Sequence, residues 1–411
     1  MRVDILNALD SNGILKECKA SSLKKHIANR LYEVKIPTKK SEKYRYFNIE
    51  DFTSKDLEVV STSKDKFKQQ GKSLVIEDGK VVSAPEGVEV EIGEFLDVDN
   101  DHFDGLYYLN HLLTQNAIIL RVKKDISFNI KHIFNKEEIF LNYRVVIFID
   151  ANSFVEIYES IEANSKDSQI LSGYDIFLSR DANLKFFKNQ TLNENSSLPI
   201  FTNYFKVDSN ATFKYGTFDF AKSSGLNLFK SELHSNSSFN AMHLLFTTSE
   251  IRAGTISEIV HLDKSSKSNQ MAKNILTNGS RGIFDALIRV TKAAKYTSAH
   301  QNSKAILLDS KSYMASKPQL EIYIDELEAS HGSTTGQLDE NALFYLRSRG
   351  INKAEAVKML ILAFANEAIE FVDNKEIANH IYVDFEKAYY GSSDIECIKT
   401  CHECEDMILG S

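Results

Sequence analysis

The sequence predicts a mainly β protein, a solenoid-like body between two helical ends, and three observations carry that expectation. Between about residues 75 and 335, short runs rich in Ile, Val, Phe and Tyr alternate with Asn, Asp, Ser, Lys and Gly, as half-buried strands do. Within that stretch a polar turn, a small residue and an alternating strand recur at Asp150-Ala151-Asn152-Ser153-Phe154, Asp181-Ala182-Asn183-Leu184, Asn210-Ala211-Thr212-Phe213 and Asn236-Ser237-Ser238-Phe239. At both ends the apolar spacing changes from two residues to three and four.

The elements follow in chain order. Residues 1–70 read as an N-terminal helical region, from Ile5, Leu6, Leu9 and Ile14, then Leu23, Ile27 and Leu31, before Pro37 interrupts the pattern. Residues 71–336 form the β region, with clear strands at 144–149, 153–157 and 184–187. The small residues of the repeat, at 151, 182, 211 and 237, are spaced by 31, 29 and 26. Such steps suit one coil of a parallel β-helix, where each coil buries its inward side chains only against its neighbours. Coincident turn signals in an antiparallel β-domain are the alternative that the repeat alone leaves open. Residues 337–395 are helical: 338–349 is a short helix closed by Gly350. Asn352 with Glu355 then opens an amphipathic helix through Val357, Leu360, Ile361, Phe364, Ala368 and Phe371. Asn374 caps a further helix with Ile377, Ile381 and Phe385 on one face, so the expectation is a helical cap on the β body, followed by a Cys-rich tail at 396–411.

Composition narrows the function classes. The 411 residues carry 49 basic and 57 acidic side chains, a net charge of -8, which offers no strongly basic face for nucleic acid. The longest apolar runs, such as 359–365, are far shorter than the ~18–20 residues of a membrane span. The start mixes Arg2, Asp4 and Asp10 with apolar residues, unlike an export signal, and four cysteines, three of them crowded between 397 and 404, make no distributed disulfide framework. A cytoplasmic protein is expected.

Phosphate-binding glycine loops, zinc-protease signatures and nucleophile elbows are absent from the sequence, and paired acids such as Asp325-Glu326 read as solvated loops. One segment stands apart: Ser330-His331-Gly332-Ser333-Thr334-Thr335-Gly336 sets a histidine among small residues where the strands meet the helices. Small neighbours admit a close partner surface and leave the imidazole free for a metal or a hydrogen bond; a turn closing the last coil, with His331 bonded to backbone, is the structural alternative. In the tail, Cys397, Cys401, His402 and Cys404 show a C-x3-C-x2-C spacing that fits an exposed tail, transient metal or cluster binding, or redox sensing.

Beyond these patterns, a set of segments resembles the SufB/SufD family of the SUF iron-sulfur assembly system. They are Ser280-Arg281-Gly282-Ile283-Phe284, residues 297–301, Ile306-Leu307-Leu308, Lys317-Pro318-Gln319-Leu320-Glu321-Ile322, Ser330-His331-Gly332, Gly336-Gln337-Leu338-Asp339 and residues 343–351. Upstream, Pro37-Thr38-Lys39-Lys40-Ser41-Glu42-Lys43-Tyr44-Arg45-Tyr46 is similar to the family's N-terminal element, with Tyr44 where tryptophan is more usual. Persulfide chemistry needs thiols, and the chain has no cysteine between 19 and 396; Ser312 stands roughly where SufB carries its interface cysteine, and Gly332 where SufB has a glutamate. The resemblance is therefore to the SufD subunit.

That resemblance implies a right-handed parallel β-helix flanked by N-terminal and C-terminal helical regions, and a non-catalytic scaffold. It implies pairing with SufB through the β-helix and with the SufC ATPase through the C-terminal helices. No cofactor is bound stably by the isolated chain; iron or an iron-sulfur cluster is held transiently at the SufB interface, with His331 as its ligand and Cys397, Cys401 and Cys404 as further candidates. A homodimer of the isolated chain is the alternative assembly. A stand-alone β-helix enzyme acting on carbohydrate is the rival reading, and a SufB-like homodimer is disfavoured by the missing thiols.

Overall fold

The computed structural model describes residues 22–53, 57–95, 97–99, 101–192, 198–220 and 222–390. Two sheets, of 12 and 11 strands, face one another, and from Asn183–Leu192 onward successive strands alternate between them. Pairing along the stack is parallel: Phe154 lies beside Asn183, Asn183 beside Thr212, Thr212 beside Ser238 and Ser238 beside Lys267. Each of these later coils is thus two strands and their turns, advanced by one strand spacing, and the fold is a parallel β-helix.

One corner explains the repeat and corrects its first step. Asn152, Asp181, Asn210, Asn236, Ser265 and Tyr296 all have φ between 58° and 62°, and each precedes a small buried residue: Ser153, Ala182, Ala211, Ser237, Ser266 and Thr297. The column therefore steps by 29, 29, 26, 29 and 31 residues. The shared tripeptide Asp-Ala-Asn suggests Ala151 as the first marker, but the left-handed turn position belongs to Asn152 and Asp181, so Ser153 fills the column. Asn and Asp tolerate that conformation because their short polar side chains bond locally. Asn210 Nδ2 donates to Asp181 Oδ1 at 2.9 Å and Asn236 Nδ2 to Asn210 Oδ1 at 3.2 Å, so the corner is laced from coil to coil.

The lumen is filled by aromatic and branched side chains, including Ile157, Phe186, Phe205, Phe213, Phe229 and Phe239. At its N-terminal end the pairing becomes antiparallel, between Ser73–Glu77 and Lys80–Ala84 and between Glu89–Gly93 and Ala117–Val122. Strands begin at Glu58–Ser61, inside the span read as helical; the described helices there are Ser22–Val34 and Ile49–Thr53. The apolar pattern at 5–14 lies outside the described residues.

A helix also interrupts the region read as strands only. All nine residues of Gly105–Leu113 are buried, and Asp104 caps the helix by accepting from Leu106 N at 2.9 Å. With both faces covered, its sequence lacks a polar stripe and imitates a strand run.

The last three helices are Glu340–Ser348, Lys353–Ile369 and Lys375–Tyr390, opened by Asp339, Asn352 and Asn374 as N-caps. Ile361, Ala365, Ile381 and Phe385 pack on Phe187, Phe218, Leu244 and Phe246, outside the 11-stranded sheet. Polar pins surround that seam: Lys185 and Lys214 both reach Asp373, at 2.8 and 2.6 Å, and buried Lys273 pairs with Glu367. The helices run back along the side of the solenoid and do not lie over its end, because their apolar faces match the outward Phe and Leu rows of earlier coils.

Candidate functional site

The end of the stack is open among the described residues. Tyr313–Ile322 and Leu327–Gly336 are the last strands of the two sheets, ten residues each, and each is paired on one side only. Most of Leu327–Gly336 is exposed. A long free edge of this kind is a template for another strand.

Parallel in-register pairing stacks side chains into columns, with alternate residues facing the lumen. One inward column runs Phe128, Ile157, Phe186, Tyr215, Ala241, Gln270, Gln301 and His331. Its neighbour runs Glu159, Lys188, Thr217, His243, Ala272, Ser303 and Ser333. The first column changes from aromatic to polar towards the open end, and His331 is its last member. The imidazole is exposed at the rim, directly over Gln301, which is 2% exposed. Partly buried Leu320, Leu327 and Ala329, with the more open Ile322, form the apolar part of the same rim.

Farther inside, several of the polar groups pair with one another. Thr217 Oγ1 and His243 Nδ1 lie 2.7 Å apart, and Gln270 Nε2 bridges His243 and Ser257 at 3.1 and 3.0 Å. Burial pushes His243 and His261 down to about 3, so both stay neutral. The Glu159 carboxylate stands 3.2 Å from His132 Nε2 and 3.9 Å from Lys188 Nζ. Burial brings Lys188 down to about 8 against the pull of Glu159 and Asp219.

Ser312 sits at the corner before Tyr313–Ile322, 6% exposed. Its Oγ donates to Asp309 Oδ2 at 2.8 Å, and Asp309 Oδ1 also takes the Lys311 and Ser312 amides. The hydroxyl is held by this turn. Gly332 packs against the previous coil, where an added Cβ would stand 3.2 Å from Asn302 Nδ2. Cys397, Cys401, His402 and Cys404 lie outside the described residues, and among the described residues no three His, Cys, Asp or Glu side chains group as a metal site.

The N-terminal motif reaches the terminal coil. Tyr44 is buried and donates to Asp104 at 2.8 Å, the Tyr46 and Tyr313 rings are 5.4 Å apart, and Glu42 pairs with Lys317 at 2.5 Å. On the helical side, Phe344, Tyr345 and Met359 are 73%, 56% and 42% exposed, an uncovered apolar face beyond what docking on the sheet uses.

Residues 132–364, more than half of the chain, match the SUF system FeS cluster assembly SufBD core domain. The chain belongs to the SufBD family. It is 38% identical over 114 residues to the iron-sulfur cluster assembly protein SufD of Escherichia coli, covering 28% of this chain and 27% of that protein. To a SufBD family protein of Synechocystis it is 30% identical over 241 residues, 55% of this chain and 52% of the relative. To the chloroplastic protein ABCI7 of Arabidopsis thaliana it is 36% identical over 119 residues, 28% of this chain and 25% of the relative. The matched stretches thus span no more than 52% of these relatives. Within the family the likeness is to SufD. The SufBD core match runs from the second full strand of the lumen through His331 into the helix Lys353–Ile369.

Sequence reasoning singled out His331 but missed Gln301. The signal was available in the spacing, since Gln270, Gln301 and His331 step by 31 and 30 residues, within the range of one coil.

Proposed function

We propose that this chain is a SufD-like scaffold subunit of a SUF complex in which iron-sulfur clusters are built, joined end to end to SufB and coupled to the SufC ATPase. The observation that carries this reading is the open last coil: two ten-residue free edges around a lumen whose apolar rim holds His331. A second β-helix of similar coil size pairs with those edges by β-augmentation and covers Leu320, Ile322, Leu327 and Ala329. A neutral imidazole suits iron, so His331 contributes a nitrogen ligand, or a positioning hydrogen bond, to iron in the nascent cluster. Iron and cluster are cargo here, and the chain itself carries no catalytic group and no resident cofactor. The exposed face of Phe344, Tyr345 and Met359 receives SufC. Without SufB, a second copy of the chain covers the same edge.

Family membership and the likeness to SufD proteins support this reading. Among the described residues no helix is long and apolar enough to cross a membrane, and a cytoplasmic place of action agrees with the cysteine usage. The test is anaerobic reconstitution of the His331→Ala chain with SufB and SufC, followed by iron and sulfide determination. The expected result is an assembled complex with reduced cluster. Wild-type cluster content refutes the ligand role, and failure to assemble returns His331 to a structural one.

A further inference from the structure

The residue beneath His331 has an unusual hydrogen-bond inventory. Gln301 is 2% exposed, and its Nε2 donates to the Gln319 carbonyl oxygen across the lumen at 2.7 Å. Its Oε1 is buried without a partner among the described residues. A buried amide oxygen left unpaired is costly, so such a group calls for an explanation. Flipping the amide does not relieve it, because that would set Oε1 against the Gln319 carbonyl oxygen. The amide is thus locked with its acceptor free, and the next member of its column, one strand spacing farther out, is His331.

Among the described residues only His331 stands beyond Gln301 in the column that faces the open end, and it is a side chain with a ring N–H to give. No described residue hydrogen-bonds to the His331 ring in this structure. Turning the ring inward from its exposed position at the rim would bring that N–H towards Gln301.

We propose that Gln301 is a positioning residue: its Oε1 accepts the proton of the lumen-facing ring nitrogen of His331, fixing one neutral tautomer and directing the other nitrogen's lone pair out of the open end. This rests on the reading of His331 as an iron ligand. A ligating imidazole commonly donates its second N–H to an acceptor that sets its tautomer and orientation. A glutamine does so without adding charge. The unpartnered oxygen at Gln301 is then a site prepared for His331 by the fold.

The experiment uses the full chain labelled with ¹⁵N-histidine, with two-bond ¹H–¹⁵N spectra recorded at pH 8 and the His331 signals assigned by their loss in His331→Ala. The expected wild-type result is one predominant neutral tautomer for His331. Gln301→Met, which removes the acceptor at similar length, should give a mixture of both tautomers. A mixed tautomer in the wild type overturns the proposal, as does an unchanged ratio in Gln301→Met, and the wild-type measurement stands even if that variant does not fold. Undiminished cluster in reconstituted His331→Ala would sink the ligand reading without moving any of these resonances, so the two failures are separable.

Discussion

Arg144 and Asp175 meet in a two-point ion pair with no exposed surface on either side chain, Nε to Oδ2 at 2.6 Å and Nη2 to Oδ1 at 2.9 Å. Arg144 also donates to Asn110 Oδ1 at 2.9 Å and to the Thr202 carbonyl at 2.7 Å, which ties the buried helix Gly105–Leu113 to the 12-stranded sheet. Burial by itself would push Asp175 up, but the Arg144 guanidinium, helped by His111, holds it far below the usual carboxylate range. Asp175→Asn leaves an uncompensated buried guanidinium and should destabilise the chain by about 3–5 kcal/mol. Urea unfolding checks this. Adding Arg144→Met to that variant removes the stranded charge and should recover part of the loss; no recovery would show that the pair is not the source of the effect.

Acid should destabilise the fold well before its carboxylates are fully protonated. Burial brings His111 down to about 4 and His243 and His261 down to about 3, so these imidazoles remain neutral in the folded chain while the unfolded chain takes up protons below ~6.5. The unfolded state then binds more protons, and stability falls with pH. At pH 5.5 the loss is about 1 kcal/mol per histidine. Asp99, pushed up to about 6 by burial, acts the other way between pH 6 and 4 and offsets part of it. Melting temperatures measured from pH 7.5 to 5 should decline, and His243→Gln should flatten the decline; a flat wild-type profile contradicts the assignment.

The left-handed corner holds Asn, Asp, Asn, Asn and Ser until its last position, where Tyr296 adopts φ 61° with 67% of its surface exposed. A bulky residue is strained there, and nothing on the exposed ring compensates by burial. Tyr296→Asn should therefore stabilise the chain by about 0.5–1 kcal/mol and raise the urea midpoint. A lower midpoint would mean that the ring makes a contact worth more than the strain.

How much of this was legible in the sequence depends on which signal each residue carries. The coil period is visible because the corner demands Asn or Asp with a small buried residue after it, and the caps Asn352 and Asn374 are visible because an N-cap is a local rule. The helix at Gly105–Leu113 is not, since a nine-residue segment that is apolar apart from Asn110 and His111 reads as a buried strand run. His331 stood out by its small neighbours and its likeness to a family, but its place in a column over Gln301 depends on the count of residues in each coil, and loops vary that count from 26 to 31. The docking of the helices along the side of the sheet was equally hidden, since an apolar helix face does not say which surface it meets.

The exposed side chains on the helices Glu340–Ser348 and Lys353–Ile369 separate folding from partner binding. Phe344 and Met359 are 73% and 42% exposed, so charging them removes little buried surface. Phe344→Asp together with Met359→Lys should leave the melting temperature within about 2 °C of wild type, while SufC retention in a pull-down falls at least about tenfold, as for the loss of an interface anchor. Retention unchanged at equal folding would place the ATPase elsewhere.

Ala329 offers the sharpest test of end-to-end pairing. It lies on the inward face of the terminal strand, stacked on fully buried Ala299, with no later coil to cover it among the described residues. In the free chain a lysine there can extend its amine through the open end into water. Under a second β-helix the same amine would be trapped among Leu320, Ile322 and Leu327 without a counter-ion, and burying it unpaired costs several kcal/mol. Ala329→Lys should therefore fold, keep SufC and lose SufB, with co-purified SufB reduced by about a hundredfold or more. The same substitution should abolish any homodimer of the isolated chain seen by light scattering, since that dimer uses the same edge. Normal SufB recovery with this variant would mean that the open coil is not the surface by which the subunits join.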